Sequence, residues 1–235
     1  MMSTKKTILI TGNRKGIGRF LTEHFLSLGY NVVGCSRTPS DLKRDNYLHL
    51  LCDVSDEKSV KKVVKSCIAE FGSIDVLINN AGVAALNHSL LTPGSTVNRV
   101  FGTNYNGTFY FTREVAKKMI TKCIPGRIVN FSTVAVPLDL EGEMVYASSK
   151  VAIEKSTRIM AKELGDKGIT VNCIGPSPIY TDLIKVVPKD KISELIQRQA
   201  IKKLGTLDDV LNIIEFYISD RSSQVTGQVI YMGGV

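Results

Sequence analysis

The sequence lacks the features that mark several classes of protein. Its five cysteines form no Cys-x-x-Cys pair and its three histidines are scattered, so no spacing suits a metal ion. No apolar stretch reaches the roughly 20 residues that a membrane-spanning helix needs. The first six residues contain charges but no apolar segment, so no signal peptide is expected. We therefore expect a cytoplasmic protein with reduced thiols and without a metal site or a membrane anchor.

Positive charge is in excess but is not concentrated. The 235 residues include 30 Lys or Arg and 22 Asp or Glu, which gives a net charge of +8. There is no arginine-rich run and no basic stripe with interleaved aromatic residues, so nucleic-acid binding is not expected. The excess is typical either of solubility combined with a local phosphate site or of an anionic substrate or carrier. The length and the 43% apolar content fit one α/β domain, residues 1–235.

Seven short apolar segments alternate with longer helical patterns. They are rich in Ile, Val and Leu with little polar alternation, as in strands that are buried on both faces of a parallel sheet. The segments are Thr7–Thr11, Asn31–Cys35, Leu48–Asp53, Asp75–Asn79, Arg127–Phe131, Ile169–Ile174 and Gln228–Met232. The alternation predicts an α/β fold: a doubly wound, about seven-stranded parallel sheet with helices on both faces.

Five segments have helical periodicity, at about 17–28, 55–71, 96–120, 144–164 and 207–219. Ser55 is a suitable N-cap for the second helix. The segment Thr181–Leu204 lacks a strong core pattern, and its Pro188 and lysines predict a mobile flap with a short helix. Near the carboxyl ends of the strands, such a flap would cover a ligand.

A glycine-rich loop, Thr11–Gly18, leads from the first predicted strand into a helix. Gly12 allows a tight turn, Gly16 lets the backbone approach a pyrophosphate, and Gly18 lets the helix pack close to the strand. The start of the helix offers free N–H groups and the positive end of its dipole. The spacing differs from the general Gly-x-Gly-x-x-Gly pattern, but the strand–loop–helix context predicts a dinucleotide site.

The residues after the second predicted strand indicate which dinucleotide binds. An NAD site has a carboxylate there that bonds the ribose 2′-hydroxyl, whereas this chain has Arg37 and no acid before Asp41. With Arg14 and Lys15 in the glycine loop, a 2′-phosphate would meet several cations, so we favour NADP(H) over NAD. Asp53 is placed either to bond an adenine amino group or to cap the following helix, and both roles are compatible.

Tyr146 and Lys150 stand four residues apart at the start of a predicted helix, so both side chains can face one ligand. A nearby ammonium is expected to lower the pKa of the phenol from about 10 towards neutral. Tyr146 would then give a proton to a carbonyl oxygen while the cofactor delivers a hydride. This motif alone is common by chance. The glycine loop in the same chain is what favours a catalytic role for it.

These motifs resemble those of the short-chain dehydrogenase/reductase family in its small single-domain form, and the resemblance covers nearly the whole chain. It implies a Rossmann domain in which Asn104, Thr133, Tyr146 and Lys150 are catalytic, with Asn104 holding a water that connects to the lysine. It implies a cofactor site made of Gly12, Asn13, Arg14, Lys15, Gly16, Ile17, Gly18, Arg37, Asp53, Val54, Asn80, Ala81, Gly82, Tyr146, Lys150, Pro176, Ile179 and Thr181.

Three departures from the family pattern affect the site. Thr133 stands where the family usually has a serine; it keeps a hydroxyl, and we favour it over the adjacent Ser132 because neighbouring strand residues point to opposite faces. Ser177 replaces the glycine of the usual Pro-Gly. The last strand's turn lacks the family's acidic or amide residue, and the chain ends soon after it.

The expected reaction is NADPH-dependent reduction of a ketone or aldehyde to an alcohol, which is reversible in principle. The resemblance is closest to 3-oxoacyl-acyl-carrier-protein reductases, so the substrate is either a free small molecule or linked to a carrier. Five basic residues would form a carrier-binding surface or simply a solvated one: Lys117, Lys118, Lys122, Arg127 and Lys167. The alternative to an enzyme is a non-catalytic NADP-binding regulator. A homodimer or homotetramer is implied, and apolar residues such as Phe109 and Phe111 belong either to its interface or to the core.

Overall fold

The computed structural model describes residues 5–180, 184 and 189–235. Seven strands form one parallel sheet in the order β3-β2-β1-β4-β5-β6-β7. They are β1 (Thr7–Thr11), β2 (Asn31–Ser36), β3 (Tyr47–Leu51), β4 (Val76–Asn79), β5 (Arg127–Phe131), β6 (Thr170–Gly175) and β7 (Val229–Tyr231). Each strand coincides with a predicted segment to within two residues at either end, and the predicted fold class is confirmed.

Helices cover both faces of the sheet. They are α1 (Gly16–Ser27), α2 (Glu57–Phe71), α3 (Gly94–Phe101), α4 (Gly107–Thr121), α5 (Ala135–Leu138), α6 (Met144–Leu164), α7 (Lys189–Arg198) and α8 (Leu207–Ile218). Apolar side chains of α2, α4 and α6 form one core cluster with the sheet, and those of α1 and α8 form a second. The sheet is therefore buried between two layers, as its continuous apolar strands predict.

Helix α2 begins later than the sequence predicts, and Ser55 is not its N-cap. Asp56 holds that position, and its carboxylate accepts hydrogen bonds from the backbone N–H groups of Lys58 (3.2 Å) and Ser59 (3.1 Å). Asp53 does not cap the helix, since its Oδ1 accepts from the backbone N–H (2.9 Å) and the hydroxyl (2.6 Å) of Ser55. A carboxylate that bonds two free N–H groups satisfies the helix end better than a serine hydroxyl would.

The helix predicted at about 96–120 is interrupted. A π-helical turn, Gly102–Asn106, separates α3 from α4, and the N–H of Gly107 bonds to the carbonyl of Gly102. Such turns occur frequently at functional sites, and this one contains Asn104. Gly107 packs directly on Val54, because a Cβ built at Gly107 would lie 2.8 Å from Val54 Cγ2.

Apolar residues of α4 belong mainly to the core. Phe111, Val115 and Met119 are fully buried in the first cluster, whereas Phe109 is only half-buried, with the Arg113 guanidinium 5.3 Å from its ring centre. For three of these four side chains the structure therefore favours packing over an interface between subunits.

Part of the predicted flap, residues 181–183 and 185–188, lies outside the described residues. The described part contains α7, which agrees with the predicted short helix. After α7, the N–H groups of Ala200 and Ile201 bond to the carbonyls of Gly234 (2.8 Å) and Gly233 (2.9 Å). The C-terminal turn therefore holds the chain that follows α7.

Replacing Gly107 with alanine should destabilise the fold, because the new Cβ would also lie 3.2 Å from the backbone oxygen of Val54. We expect the free energy of unfolding in urea to fall by about 1–3 kcal/mol. Gly165→Ala is the control, since a Cβ there would have no described atom within 4 Å apart from its own chain neighbours and helix backbone, and its φ of −60° suits alanine. In Gly165→Ala the free energy of unfolding should be unchanged or rise by about 0.4–1 kcal/mol. Equal losses in both variants would contradict the assigned packing.

Candidate active site

One cleft of about 1000 Å³ lies at the carboxyl ends of the parallel strands. Its lining includes Gly12 after β1, Arg37 after β2, Asn80 after β4, Thr133 after β5 and Pro176 after β6. Loops that follow parallel strands meet at one edge of the sheet, which is where ligands bind in open α/β folds. The volume is at the upper end of the range for ligand pockets, so the cleft can take an extended molecule.

The glycine loop has the backbone geometry of a phosphate cradle. Gly12 has a φ of +68°, and a Cβ there would lie 2.8 Å from Ala81 Cα. A Cβ at Gly18 would lie 2.5 Å from the carbonyl oxygen of Gly12, so α1 packs tightly against the loop. Lys15, in the N-cap position of α1, makes no side-chain cap, and the first turn contains no acidic residue. The start of α1 therefore suits an anion.

Two of the predicted cofactor-binding residues, Asn13 and Gly18, are absent from the cleft lining. Asn13 is fully buried, and its Nδ2 donates to the hydroxyls of Tyr47 (2.6 Å) and Thr22 (3.4 Å). The Asn13 amide fills the space beside Gly34, where a Cβ would lie 1.8 Å from Nδ2. The Asn13 side chain thus supports the loop from inside, and any contact of Asn13 with a ligand must come from its backbone.

Most of the other predicted cofactor-binding residues line the cleft. They are Gly12, Arg14, Lys15, Gly16, Ile17, Arg37, Asp53, Val54, Asn80, Ala81, Gly82, Tyr146, Lys150, Pro176 and Ile179. Thr181 lies outside the described residues. Asn80 also supports the glycine loop, because its Nδ2 donates to the carbonyls of Thr11 (2.9 Å) and Gly12 (3.1 Å). The loops after β1 and β4 are therefore joined at the bottom of the cleft.

The first acid after β2 is kept out of the cationic end of the cleft. Asp41, the first acid after β2, is bonded to the Arg19 guanidinium, which lowers the pKa of the Asp41 carboxyl. Asp41 does not line the cleft, whereas Arg14 and Arg37 do and are exposed. A phosphate at this end would meet cations without an adjacent carboxylate from β2.

Tyr146, Thr133 and Lys150 meet at the other end of the cleft. The Thr133 side chain lies near enough to the Tyr146 phenol to lower its pKa, and the Lys150 ammonium lies 5.8 Å from the centre of the Tyr146 ring. Lys150 is buried, and its Nζ donates to the carbonyl of Phe131 at 2.8 Å. Three of the four side chains that the sequence assigns to catalysis are thus brought together by α6 and the end of β5, and Asn104 is the fourth.

The two candidate hydroxyls after β5 have different environments. Ser132 is buried, and its hydroxyl donates to Glu154 Oε1 at 2.5 Å. Thr133 is half-buried, lines the cleft together with Tyr146, and accepts a hydrogen bond from the N–H of Ala135 at 3.2 Å. This arrangement supports Thr133 as the residue that would face a bound substrate.

Burial shifts the pKa values of the central pair. It raises the pKa of Tyr146 to about 12, although the nearby Thr133 side chain acts in the opposite direction. Burial also lowers the pKa of Lys150 from 10.5 to about 8. The expectation that Lys150 lowers the pKa of Tyr146 is therefore wrong for this structure, because loss of solvent around the phenol dominates. At neutral pH the phenol is protonated.

Asn104 is buried in the π-helical turn and makes three hydrogen bonds. Its Oδ1 accepts from the N–H of Val83 (2.8 Å), and its Nδ2 donates to the carbonyl of Val83 (3.0 Å) and the hydroxyl of Ser149 (2.9 Å). A Cβ built at Gly82 would lie 3.4 Å from Asn104 Oδ1 and 3.5 Å from Lys150 Nζ. The two polar groups thus converge on Gly82, and Asn104 joins the loop after β4 to α6.

Comparison with known proteins identifies the family to which this chain belongs. A family model described as enoyl-(acyl carrier protein) reductase matches residues 11–234. D-Erythrulose reductase of Gallus gallus is 34% identical over 96% of this chain and 93% of its own length. The 3-oxoacyl-[acyl-carrier-protein] reductase of Escherichia coli (strain K12) is 28% identical over 97% of this chain and 96% of its own length. The chain belongs to the short-chain dehydrogenase/reductase family.

Solved structures agree with the family assignment. "ElxO with NADP Bound" has a TM-score of 0.89 at 31% identity and covers 97% of both chains. Levodione reductase has a TM-score of 0.90 at 26% identity, covering 98% of this chain and 97% of its own. This chain is therefore an oxidoreductase of the short-chain dehydrogenase/reductase family.

Sequence reasoning missed several residues that support the site of this family member. Glu154 accepts the Ser132 hydroxyl, Ser149 bonds Asn104, and the carbonyl of Phe131 receives the Lys150 ammonium. Glu154 follows Lys150 by one helical turn, so a carboxylate on the same face of the predicted helix was a usable signal. No sequence pattern marks a backbone carbonyl as the acceptor for a lysine.

Four of the five basic residues suggested for a carrier-binding or a solvated surface are exposed, but Arg127 is not. Arg127 is buried, and its Nη1 donates to the carbonyls of Pro125 (2.9 Å) and Gly126 (3.0 Å), so it stabilises a turn instead of a surface. Lys117 pairs with Glu114 and Lys167 with Asp166, which reduces the local excess of positive charge.

Neither a metal site nor a membrane-spanning helix is found among the described residues. Over the described ranges, no group of three His, Cys, Asp or Glu residues could hold a metal ion. None of the helices in these ranges is both long enough and apolar enough to cross a membrane.

The lowered pKa of Lys150 predicts how stability depends on pH. In the unfolded chain the lysine keeps its proton up to about pH 10.5, but in the folded chain it loses the proton near pH 8. The unfolded state therefore binds more protons between these values, and the Lys150 contribution to stability rises with pH. The unfolding free energy of the wild type minus that of Lys150→Met should rise by about 1–2 kcal/mol from pH 7 to pH 9.5.

Lys122→Met, which removes an exposed lysine, controls for the loss of one positive charge. Urea unfolding at several pH values measures both differences. If the unfolding free energy of the wild type minus that of Lys150→Met stays constant or falls from pH 7 to pH 9.5, the Lys150 ammonium is not desolvated.

Proposed function

We propose that this chain reduces a ketone or aldehyde to an alcohol with NADPH, and catalyses the reverse reaction when the alcohol and NADP⁺ are supplied. The convergence of Thr133, Tyr146 and Lys150 in the cleft that begins at the glycine loop carries this proposal. One end of the cleft suits a dinucleotide phosphate, and the other end offers proton donors for a carbonyl oxygen.

The cationic end of the cleft supports NADP(H) as the cofactor. Arg14 and Arg37 line this end, while Asp41 is bonded to Arg19 outside the lining. A structural neighbour in the family, ElxO, has NADP bound, whereas 4-hydroxyisoleucine dehydrogenase, with a TM-score of 0.91 at 28% identity, is complexed with NADH. These structural neighbours therefore include one with NADP bound and one with NADH bound. The residues after β2 decide which of the two cofactors binds. We assign the 2′-phosphate to Arg14 and Arg37.

The side chains at the other end fit the proton chemistry of carbonyl reduction. When bound, NADPH supplies the hydride that reduces the carbonyl carbon. The carbonyl oxygen accepts hydrogen bonds from Thr133 and Tyr146, which stabilise the negative charge that develops on it. Tyr146 then donates its proton, which it retains at neutral pH because its pKa is about 12.

Lys150 and Asn104 complete the arrangement. With a pKa of about 8, the Lys150 ammonium is mostly protonated at pH 7 and can return a proton to the tyrosinate. It also provides positive charge beside the phenol. Asn104 Oδ1 and Lys150 Nζ converge over Gly82, which is where a water would connect them. We assign to Asn104 the role of holding that water.

A free small carbonyl compound is the substrate that the surface supports best. Burial of Arg127 and the ion pairs of Lys117 and Lys167 disfavour a basic docking surface for an acidic carrier. The curated relatives include enzymes named for both kinds of substrate, D-erythrulose and a 3-oxoacyl carrier. We also expect cytoplasmic localisation and a dimer or tetramer, with the exposed Val151 and Ile159 of α6 as candidates for the interface.

Removing the Tyr146 hydroxyl should abolish turnover without abolishing cofactor binding. Tyr146→Phe is expected to lower kcat by about 10²–10⁴-fold, because the proton donor is lost, while the Kd for NADPH changes by less than about threefold. NADPH consumption over a panel of carbonyls, with D-erythrulose and a short 3-oxoacyl thioester included, measures the first quantity, and fluorescence titration measures the second. Unchanged turnover would refute the assignment, and a wild type that binds NADPH but reduces no carbonyl would favour the regulator.

Removing the Arg37 side chain should weaken NADPH binding much more than NADH binding, because only NADPH carries the 2′-phosphate. We expect Arg37→Ala to raise the Kd for NADPH by about 10-fold or more, in keeping with the loss of one charge-assisted contact, and the Kd for NADH by less than twofold. Arg44→Ala serves as the control, since Arg44 is exposed but does not line the cleft. Equal changes for both cofactors would contradict the choice of NADPH.

A further inference from the structure

Glu154 is a buried carboxylate that none of the catalytic roles above uses. It is 4% exposed, and within the described parts of the chain it forms no ion pair. Both of its hydrogen bonds end on Oε1, which accepts from the hydroxyls of Ser132 (2.5 Å) and Tyr231 (2.5 Å). Burial of an unpaired carboxylate is unfavourable unless such bonds compensate for the lost water, so its presence here needs a reason.

Its position relative to the catalytic groups suggests that reason. Lys150 and Glu154 are one turn apart on α6, and they bond consecutive residues at the end of β5: the carbonyl of Phe131 and the hydroxyl of Ser132. The N–H of Ser132 also donates to the carbonyl of Ile174 at 2.7 Å. Ser132 is therefore held from two sides. The next residue, Thr133, accepts a hydrogen bond from the N–H of Ala135 (3.2 Å) and acts on the pKa of the nearby Tyr146 phenol.

Glu154 also reaches the loop after β6 through Tyr231. The ring of Tyr231 packs on Gly175, where a Cβ would lie 2.3 Å from the ring. Gly175 directly precedes Pro176, which lines the cleft. One carboxylate thus links the ends of β5 and β7 to α6, and through the ring of Tyr231 it also braces the end of β6.

We propose that Glu154 is a positioning residue, which acts through Ser132 to hold the Thr133 hydroxyl in place against Tyr146. This inference rests on the proposed carbonyl reduction, because Thr133 matters only if it bonds the substrate. A misplacement of about 1 Å in such a group reduces turnover by up to about 10²-fold. Loss of Glu154 should therefore lower kcat more than it affects cofactor binding.

A double-mutant cycle between Glu154 and Thr133 tests the proposal. Glu154→Ala should lower kcat by about 10-fold or more, with the KM for NADPH changed less than twofold, whereas Glu154→Gln keeps an acceptor oxygen and should stay within about threefold of the wild type. In a Thr133→Val background, Glu154→Ala should add less than a twofold loss, because the group it positions is already gone. Ser132→Ala removes only one hydroxyl, and it replaces Glu154→Ala in the cycle if that variant does not fold.

The matched control is Thr157→Val, on the same helix and facing the same strand. The Thr157 hydroxyl accepts from Asn130 Nδ2 at 2.9 Å, and neither residue lines the cleft. This variant should lose stability while keeping its kcat. The ¹³C shift of the Thr133 methyl in the cofactor-free chain gives a second readout, expected to move in Glu154→Ala and Ser132→Ala but not in Thr157→Val.

The outcomes separate this inference from the proposed function. Independent, multiplicative losses from Glu154→Ala and Thr133→Val would overturn the positioning role, as would a Thr133 methyl shift that does not move. In either case, wild-type turnover would leave carbonyl reduction intact. A wild type without turnover on any carbonyl would overturn both together.

Discussion

The attachment of α6 to the end of β5 is the constraint on which the candidate site depends. Lys150 and Glu154 are buried a helical turn apart, and each is hydrogen-bonded to a group at the end of that strand. Because unsatisfied buried charges are very unfavourable, these bonds restrict how the helix can rotate or slide on the sheet. The fixed orientation of α6 places Tyr146 in the same cleft as Thr133.

The sheet topology explains why the proposed catalytic pair and the glycine loop share one cleft. Strand order reverses between β1 and β4, and the loops after these strands therefore diverge and leave a crevice. Asn80 closes the bottom of this crevice by bonding the backbone of the glycine loop. The loop after β5 adds Thr133 further along the same edge. The residues proposed for cofactor binding and for catalysis thus lie along one edge of the parallel sheet, and α6 supplies Tyr146 and Lys150.

Much of this arrangement was predictable from the sequence, because it depends on local patterns. Apolar strands, the glycine loop and the Tyr146–Lys150 spacing each have a periodicity or a backbone requirement that is visible in the chain. Side-chain direction was not predictable in the same way. Asn13 lies in the glycine loop but points inwards at Gly34, and Arg127 is a basic residue that caps a turn. The π-helical turn at Asn104 depends on packing against distant residues, and burial determined the pKa of Tyr146 more strongly than the nearby lysine.

A crystal structure of this chain with NADPH tests the central claim most directly, because the claim is that one cleft joins a phosphate-binding end to a reacting end. The account predicts that the 2′-phosphate contacts Arg14 and Arg37, that the pyrophosphate lies at the start of α1, and that the nicotinamide ring lies beside the hydroxyls of Tyr146 and Thr133. A cofactor bound in the opposite orientation, or one whose nicotinamide lies away from Tyr146, would contradict it.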